Sequence, residues 1–118
     1  MPRETSSRKY LLTINNPKEH GFDHALIRQN LEQLKGCIYW CLCDEVGEEG
    51  TPHTHIYAAF KNQVMFSTMK QRFYAAHIDA AKGSHRENRD YIRKEGKWRD
   101  SHKAETNLPE TFEESGEL

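Results

Sequence analysis

Two short motifs carry the side chains best suited to chemistry. The first is Pro52-His53-Thr54-His55-Ile56 and the second is Tyr91-Ile92-Arg93-Lys94. A pair of histidines can hold a divalent metal ion, and a tyrosine beside a lysine can attack a phosphodiester. Together the motifs predict metal-assisted phosphodiester cleavage with a tyrosine as the nucleophile.

The histidine pair lies in a segment expected to be a strand, where alternate residues share a face, so His53 and His55 project together. Glu45 lies eight residues before His53, across a turn rich in Gly and Glu, and a hairpin would bring it alongside. The competing carboxylates are Asp44, which has the opposite strand parity, and Glu48 and Glu49, which lie in the turn. Two imidazoles and one carboxylate accept Mn²⁺ or Mg²⁺ and would also bind Zn²⁺ or Co²⁺.

The tyrosine motif lies in a segment expected to be a helix, where residues three apart are neighbours, so Tyr91 and Lys94 lie side by side. A phenol is mostly protonated near neutral pH, so it needs nearby positive charge to react. The lysine ammonium can stabilise phosphate charge or the developing tyrosinate. The other tyrosines, which have no such neighbour on a polar helix, are Tyr10, Tyr39, Tyr57 and Tyr74.

These motifs sit within a regular succession of elements. Strands are predicted at residues 8–15, 37–45, 53–61 and 77–81, and helices at about 24–35, 67–74 and 85–95. Asp23 and Ser84 are expected helix caps, and Asn16-Pro17 and Gly96 are expected stops. Strands joined by short turns and helices indicate the α+β class, with an antiparallel sheet and helices packed on it.

The charge of the chain is segregated. Residues 104–118 hold five glutamates and no Lys or Arg, whereas residues 61–103 hold 11 basic and 5 acidic side chains. Such a basic half suits a surface that meets phosphates. The predicted DNA-binding residues are Asn15, Asn16, Lys61, Lys70, Arg72 and Lys82.

The rest of the composition is typical of an intracellular protein of one domain. No apolar run approaches the roughly 18 residues of a membrane span, and the first residues do not form a signal peptide. The three cysteines, Cys37, Cys41 and Cys43, are odd in number, which favours reduced, buried thiols over disulfides. A zinc site that combines them with the histidines is the less favoured alternative.

Taken in order along the chain, the motifs resemble a known family. Residues 11–17, the histidine motif with Glu45, the segment 77–84 and the tyrosine motif are similar to the HUH endonuclease domain of rolling-circle replication initiators. These initiators occur in circular single-stranded DNA viruses and related bacterial plasmids, and the residues near Lys97 look most like the plasmid type. The resemblance covers residues 8–98. The family often has a bulky apolar residue where this chain has Thr54, which affects packing more than chemistry.

The resemblance implies a central five-stranded antiparallel sheet flanked by helices, of ferredoxin- or RRM-like topology. It also implies nicking of single-stranded origin DNA at a stem-loop, a 5′-phosphotyrosine on Tyr91, and later rejoining. Residues 99–118 would then be an acidic tail leading toward a helicase domain, with self-association as a further expectation. The bacterial cytoplasm is the expected location for a plasmid protein, and the host nucleus for a protein of a eukaryotic virus.

Two alternatives remain open at this point. A single-tyrosine HUH transposase or relaxase would share the chemistry. A non-catalytic, RRM-like binder of single strands would instead use exposed aromatic side chains as stacking platforms. The candidates for such platforms are Trp40, Tyr57, Phe60 and Phe73.

Overall fold

The computed structural model describes residues 5–47, 49–98 and 106–117. Its strands are β1 (Ser6–Asn15), β2 (Cys37–Val46), β3 (Pro52–Met65), β4 (Ala76–Ala80) and β5 (Asn107–Gly116). Its α-helices are α1 (His24–Gln33), α2 (Phe66–Arg72) and α3 (His85–Arg93), and short 3₁₀ helices span Pro17–His20 and Gly96–Trp98. The strands form one antiparallel sheet in the order β4-β1-β3-β2-β5. The expected α+β fold with a five-stranded sheet is confirmed.

The expected start signals operate as side-chain caps. The Asp23 carboxylate accepts a hydrogen bond from the Leu26 N–H at 2.8 Å, and α1 begins at the next residue. The Ser84 hydroxyl does the same for the Glu87 N–H at 3.0 Å at the start of α3. Asn16, which follows the last residue of β1, adopts the left-handed conformation with φ of 50°, which asparagine tolerates better than most residues. These boundaries follow from local chemistry.

The acidic tail differs from the expectation. Residues 107–116 form β5, which pairs antiparallel with β2 from Glu45↔Asn107 to Tyr39↔Gly116, so this segment is an edge strand and not a linker. Its carboxylates meet basic groups of the helices: Glu113 pairs with Arg28 of α1, and Glu114 pairs with Arg89 of α3 at 2.8 Å. The strand was missed because an edge strand with polar side chains has little apolar periodicity. Residues 99–105 and 118 of the predicted tail lie outside the described residues.

Alternation along the strands gives the sheet two faces with separate cores. At positions 9–15 of β1, 39–46 of β2 and 53–60 of β3, even-numbered residues face α1 and α2, and odd-numbered residues face α3. The larger core, under α1 and α2, includes Tyr10, Leu12, Ile14, Ile27, Leu31, Leu42, Ile56, Met69 and Phe73. The smaller core, under α3, includes Tyr39, Cys41, Cys43, Tyr57, Ala59 and Ile92. Glu45, His53 and His55 have odd numbers and therefore lie on the α3 face.

A histidine links α1 to the sheet on the opposite face. His24 Nε2 lies 2.9 Å from Asp44 Oδ1, and its Nδ1 lies 2.6 Å from Glu113 Oε2. The hydrogen bond to Asp44 raises the pKa of His24; burial opposes this rise, and Glu113 adds to it. The pKa values of Asp44 and Glu113 are lowered: burial alone would raise both, but the bonds from His24, and from Arg28 to Glu113, outweigh it. The charged imidazole therefore joins α1, β2 and β5.

We predict that His24→Gln lowers the free energy of unfolding by about 1 kcal/mol at about pH 6, and by less at about pH 9. The pKa of His24 is higher in the folded protein than the ordinary histidine value of 6.5, so the charged side chain stabilises the fold fully below that pH. This stabilisation is lost as the pH rises through the pKa of the folded state. Urea unfolding at both pH values measures the difference. His20→Gln, at an exposed position, is the matched control. An equal loss at both pH values would contradict a charged His24.

Candidate active site

The register between β2 and β3 assembles the predicted ligand group. Glu45 pairs with His53 and Cys43 pairs with His55, so three ligand side chains occupy neighbouring positions on one face. Glu45 Oε1 lies 3.4 Å from His53 Nε2 and 3.6 Å from His55 Nε2. Ligand atoms of all three residues lie within 4.8 Å of one another. The hairpin expected from the sequence therefore brings together the carboxylate and both imidazoles.

The competing carboxylates do not join this group. Asp44 points to the α1 face, where its Oδ1 accepts hydrogen bonds from Thr54 Oγ1 at 2.6 Å and from His24. Glu49 is exposed in the turn, and Glu48 lies outside the described residues. Thr54 is buried and faces away from the histidines, as its strand parity predicted.

The charge states of the group suit metal ligation. Burial alone would raise the pKa of Glu45, but hydrogen bonds from His53, His55 and Lys94 outweigh it and hold the pKa well below its usual range. Burial lowers the pKa of His55, although Glu45 opposes this effect. An ionised carboxylate beside a neutral imidazole is the state that binds a divalent cation.

A residue of β1 orients one of the imidazoles. Thr13 pairs with His55 across β1 and β3, and its Oγ1 lies 3.1 Å from His55 Nδ1. This contact turns His55 Nε2 toward Glu45, which is how outer residues commonly fix a ligand histidine. Thr13 belongs to neither chemical motif of the sequence, although its odd position on a neighbouring strand could have indicated it. A carboxylate, two imidazoles and an orienting hydroxyl fit a site for Mn²⁺ or Mg²⁺.

Tyr91 lies beside this group. Ile92 is fully buried in the α3 core and fixes the helix on the sheet. The Tyr91 ring is then 6.0 Å from the His55 ring, centroid to centroid, at 68°. The structure thus brings the predicted nucleophile to the predicted metal ligands.

The other tyrosines are placed less suitably. Tyr10, Tyr39 and Tyr57 are almost completely buried, and burial raises the pKa of both Tyr39 and Tyr57 far above the ordinary phenol value. Tyr74 is 60 % exposed but packs on Phe22, a member of the core on the opposite face. Tyr91 is therefore the tyrosine that adjoins the ligand group.

Lys94 reaches Tyr91 by a different route from the one predicted. It follows the last residue of α3 and adopts the left-handed conformation, with φ of 57°. Its side chain is 1 % exposed, and its Nζ lies 2.5 Å from Glu45 Oε2. The same ammonium donates to the Tyr91 carbonyl at 2.8 Å and lies 4.0 Å from the centre of the Tyr91 ring. Lys94 therefore connects Tyr91 to the carboxylate of the predicted ligand group and does not project into solvent.

The predicted DNA-binding residues divide into two sets. Asn15 pairs with His53, and Lys82 lines a cleft with Tyr91, so these two and Asn16 adjoin the site. Lys61 lies six residues beyond His55 on β3, roughly 20 Å along the strand. Lys70 and Arg72 are on α2, which covers the opposite face. The structure therefore does not bring Lys61, Lys70 and Arg72 to the site.

The cysteines are free thiols, and no described metal-binding group includes them. Burial raises the pKa of Cys37 to about 11 and that of Cys41 to about 12, so both are protonated near neutral pH.

Comparison with known proteins adds the family. The family model Viral_Rep, described as "Putative viral replication protein", matches residues 7–95. The chain belongs to this family of viral replication proteins. It is 33 % identical over 103 residues to the replication-associated protein of Pigeon circovirus and 34 % identical over 99 residues to that of Beak and feather disease virus. It is also 31 % identical over 86 residues to the master replication protein of Banana bunchy top virus.

These alignments cover 80 %, 81 % and 73 % of the chain but only 29 %, 32 % and 27 % of the respective relatives. The chain therefore spans about 30 % of the length of these curated relatives. All three are viral, which favours the viral branch of the resemblance, while the likeness to plasmid initiators stays a prediction. Among the described residues of this viral replication protein, no helix is long and apolar enough to cross a membrane.

The buried contact of Lys94 with Glu45 leads to a prediction about this family member. Lys94→Met leaves the Glu45 carboxylate buried without its ammonium partner, so we expect it to destabilise the metal-free protein by about 3 kcal/mol. Because a divalent cation would neutralise the same carboxylate, MnCl₂ should raise the melting temperature more in the variant than in the wild type. Thermal unfolding with and without MnCl₂ measures both effects. Lys61→Met, at an exposed lysine, is the control, and equal shifts in all three proteins would contradict the prediction.

Proposed function

We propose that this chain is a nicking and joining domain that cuts single-stranded origin DNA in rolling-circle replication and forms a 5′-phosphotyrosine at Tyr91. The observation that carries the proposal is the placement of the Tyr91 ring 6.0 Å from the His55 ring, with His55, His53 and Glu45 grouped within 4.8 Å. Membership of the viral replication protein family supports it.

Each residue has a distinct role in this proposal. Glu45, His53 and His55 hold the divalent ion, Mn²⁺ or Mg²⁺, which when bound supplies Lewis-acid polarisation of the scissile phosphate. Tyr91 Oη forms a bond to phosphorus while the bond from phosphorus to the 3′ oxygen breaks. The phenol loses its proton to solvent, and the departing oxygen takes up one proton to become a 3′-hydroxyl. Attack by a new 3′-hydroxyl reverses the step and rejoins the strand.

The shape of the site supports a single-stranded substrate. The face that carries the ligands continues over β1 to the edge strand β4, where the side chains of His77 and Asp79 are 74 % and 66 % exposed. The described residues form a sheet surface with one helix at its side and no wedge that would separate a duplex. A strand extruded as a stem-loop at an origin is therefore the proposed partner.

The wider context is proposed from the length of the relatives. They continue well beyond the aligned part, which suits a nicking domain joined to a helicase domain in the full protein. We place β5 inside the nicking domain, since it completes the sheet. Because the relatives named above are viral, we propose that the protein acts in a host nucleus and self-associates there.

The alternatives gain less support. Trp40, Tyr57, Phe60 and Phe73 are each at most 6 % exposed, so they cannot serve as stacking platforms for an RRM-like binder. The relatives named above are replication proteins, which favours an initiator over a transposase or relaxase.

We predict that His53→Ala or His55→Ala abolishes nicking in MnCl₂ and leaves single-strand binding largely intact, because phosphate contacts carry most of the affinity. The substrate is a single-stranded library with a randomised centre, from which covalently captured strands are sequenced. Mn²⁺ binding by each variant is measured separately by calorimetry. His20→Ala, at an exposed histidine, is the control. Full cleavage by the double variant in chelator would refute the assignment.

We predict that Tyr91→Phe keeps the fold and Mn²⁺ binding but forms no covalent adduct, because the attacking oxygen is gone. Mass spectrometry of the trapped wild-type complex should place the DNA on Tyr91. Tyr74→Phe, at the exposed tyrosine of the opposite face, is the matched control and should form the adduct normally. An adduct on another tyrosine, or cleavage by Tyr91→Phe, would mean that the nucleophile is misassigned.

Lys82 and Lys61 allow a test of where the strand lies. We predict that Lys82→Ala weakens single-strand binding and reduces the slope of log K against log salt by about 0.7, the value for one lost phosphate contact. Lys61→Ala, which removes another exposed charge roughly 20 Å from His55, should leave the slope unchanged. Filter binding across a salt series gives both slopes. The opposite pattern would place the strand at the far end of β3.

A further inference from the structure

Tyr91 forms part of the wall of a cleft that the metal group does not use. The cleft has a volume of about 290 Å³ and lies between β1, α3 and the Gly96–Trp98 turn. Leu11, Lys82, Tyr91, Lys97 and Trp98 contribute to its lining. Glu87 and Asn88 line it as well, so the cleft combines an indole, an aliphatic side chain, two ammonium groups and one carboxylate next to the proposed nucleophile.

The indole is held in a defined position. The backbone N–H of Trp98 donates to the Glu95 carbonyl at 3.0 Å, which closes the turn after α3 and fixes the backbone that carries the indole. The Trp98 ring then lies 5.0 Å from the Tyr91 ring, at 74°, and remains partly exposed. A partly exposed tryptophan beside a basic surface is the type of side chain on which nucleobases stack.

The basic side of the cleft is also held by contacts with the rest of the fold. Lys97 Nζ lies 5.2 Å from the centre of the Trp98 ring. The segment that carries Lys82 is held against α3, because Asn88, which is 5 % exposed, donates to the Lys82 carbonyl at 2.8 Å and to the Ser84 carbonyl at 2.9 Å. The Lys97 ammonium therefore lies near the indole, and the backbone of Lys82 is fixed where its side chain lines the cleft, so both lysines can complement phosphate charge.

The proposed reaction determines what must lie here. After the cut, the strand on the 3′ side of the break is joined through its 5′ phosphate to Tyr91 Oη. The first nucleotide of that strand cannot be further from Tyr91 than its own sugar and phosphate allow, so its base has to occupy space beside the phenol. We infer that the cleft seats this nucleotide, with its base against Trp98 and its phosphates near Lys82 and Lys97. The inference rests on the proposed function and adds a base-binding site to it.

Seating of the base has a consequence for the covalent intermediate. The contact with Trp98 holds the joined strand in place while the strand with the free 3′-hydroxyl is exchanged. Stacking on one aromatic side chain changes affinity by roughly tenfold or more. The cleft would therefore bind a strand whose first residue carries a base more tightly than one whose first residue is abasic.

The test uses 5′-phosphorylated oligonucleotides with the sequence of the captured product strand, made with a normal or an abasic first residue. The wild type should bind the normal strand roughly tenfold more tightly. Trp98→Ala should bind both strands equally, and Trp98→Phe should recover most of the preference. The chain has two tryptophans, and Trp40 is 6 % exposed, so a change in indole emission that is absent in Trp98→Phe reports on Trp98.

The controls separate this inference from the proposed function. Making the fourth residue of the oligonucleotide abasic should not alter the effect of Trp98→Ala on its affinity. Tyr74→Ala, at an exposed aromatic side chain of the opposite face, should keep the preference for a base at the first residue. Equal affinities of the wild type for the normal and abasic strands, or a preference that survives in Trp98→Ala, would overturn the base site. If either of these results is found but the wild type still forms the Tyr91 adduct, the base site is refuted and the proposed function is retained. If it forms no adduct with any library strand, both fail.

Discussion

The arrangement of the site depends on the antiparallel register of β2 and β3, which sets Glu45 opposite His53. A slip of one residue would turn Glu45 to the opposite face of the sheet. Such a slip of β2 would also remove Leu42, which is completely buried under the two helices of that face, from its core. Burial of apolar side chains on one face therefore fixes the geometry of the polar groups on the other. The pairing register of β2 and β3 therefore determines both the core and the site.

The second constraint is the buried ion pair between Lys94 and Glu45. A left-handed lysine costs roughly 1–2 kcal/mol, and glycine is the usual residue at such a helix end. A glycine could not carry an ammonium to Glu45 Oε2 or to the Tyr91 carbonyl. The strained position is thus explained by a contact that couples the end of α3 to the β2–β3 hairpin. The proposed nucleophile and one proposed metal ligand are contacted by the same side chain.

The acidic strand β5 has a structural role that its composition conceals. Its Glu114 binds Arg89 of α3 through two hydrogen bonds, of 2.8 and 3.0 Å. Glu113 binds Arg28 and His24 of α1 on the other side of the sheet. The strand therefore connects both helical layers to β2. Glu113 and Glu114 are paired with arginines, and lysines remain beside the tyrosine.

The sequence by itself determined the local features. The caps Asp23 and Ser84 depend on a hydrogen bond to a residue three positions away, and the shared face of His53 and His55 depends only on strand alternation. The placement of Glu45 beside them needed one further step, a tight hairpin. For this reason the fold class and the ligand group could be predicted, while β5 could not: its pairing with β2 and its arginine partners come from residues far away in the chain.

Only the tertiary structure decided how the lysines are used. Helix spacing placed Lys94 beside Tyr91, but the helix ends before it, and the buried carboxylate of Glu45 draws its ammonium inward. From composition alone, Lys61, Lys70, Arg72 and Lys82 were equally good candidates for DNA binding. Because α2 and α3 pack on opposite faces of the sheet, Lys82 is the one of these four that lies near the tyrosine. Thr13 and Trp98 joined the site through contacts across strands and around a helix end. Sequence patterns specify which face a side chain takes, whereas its neighbours on that face depend on how the elements pack.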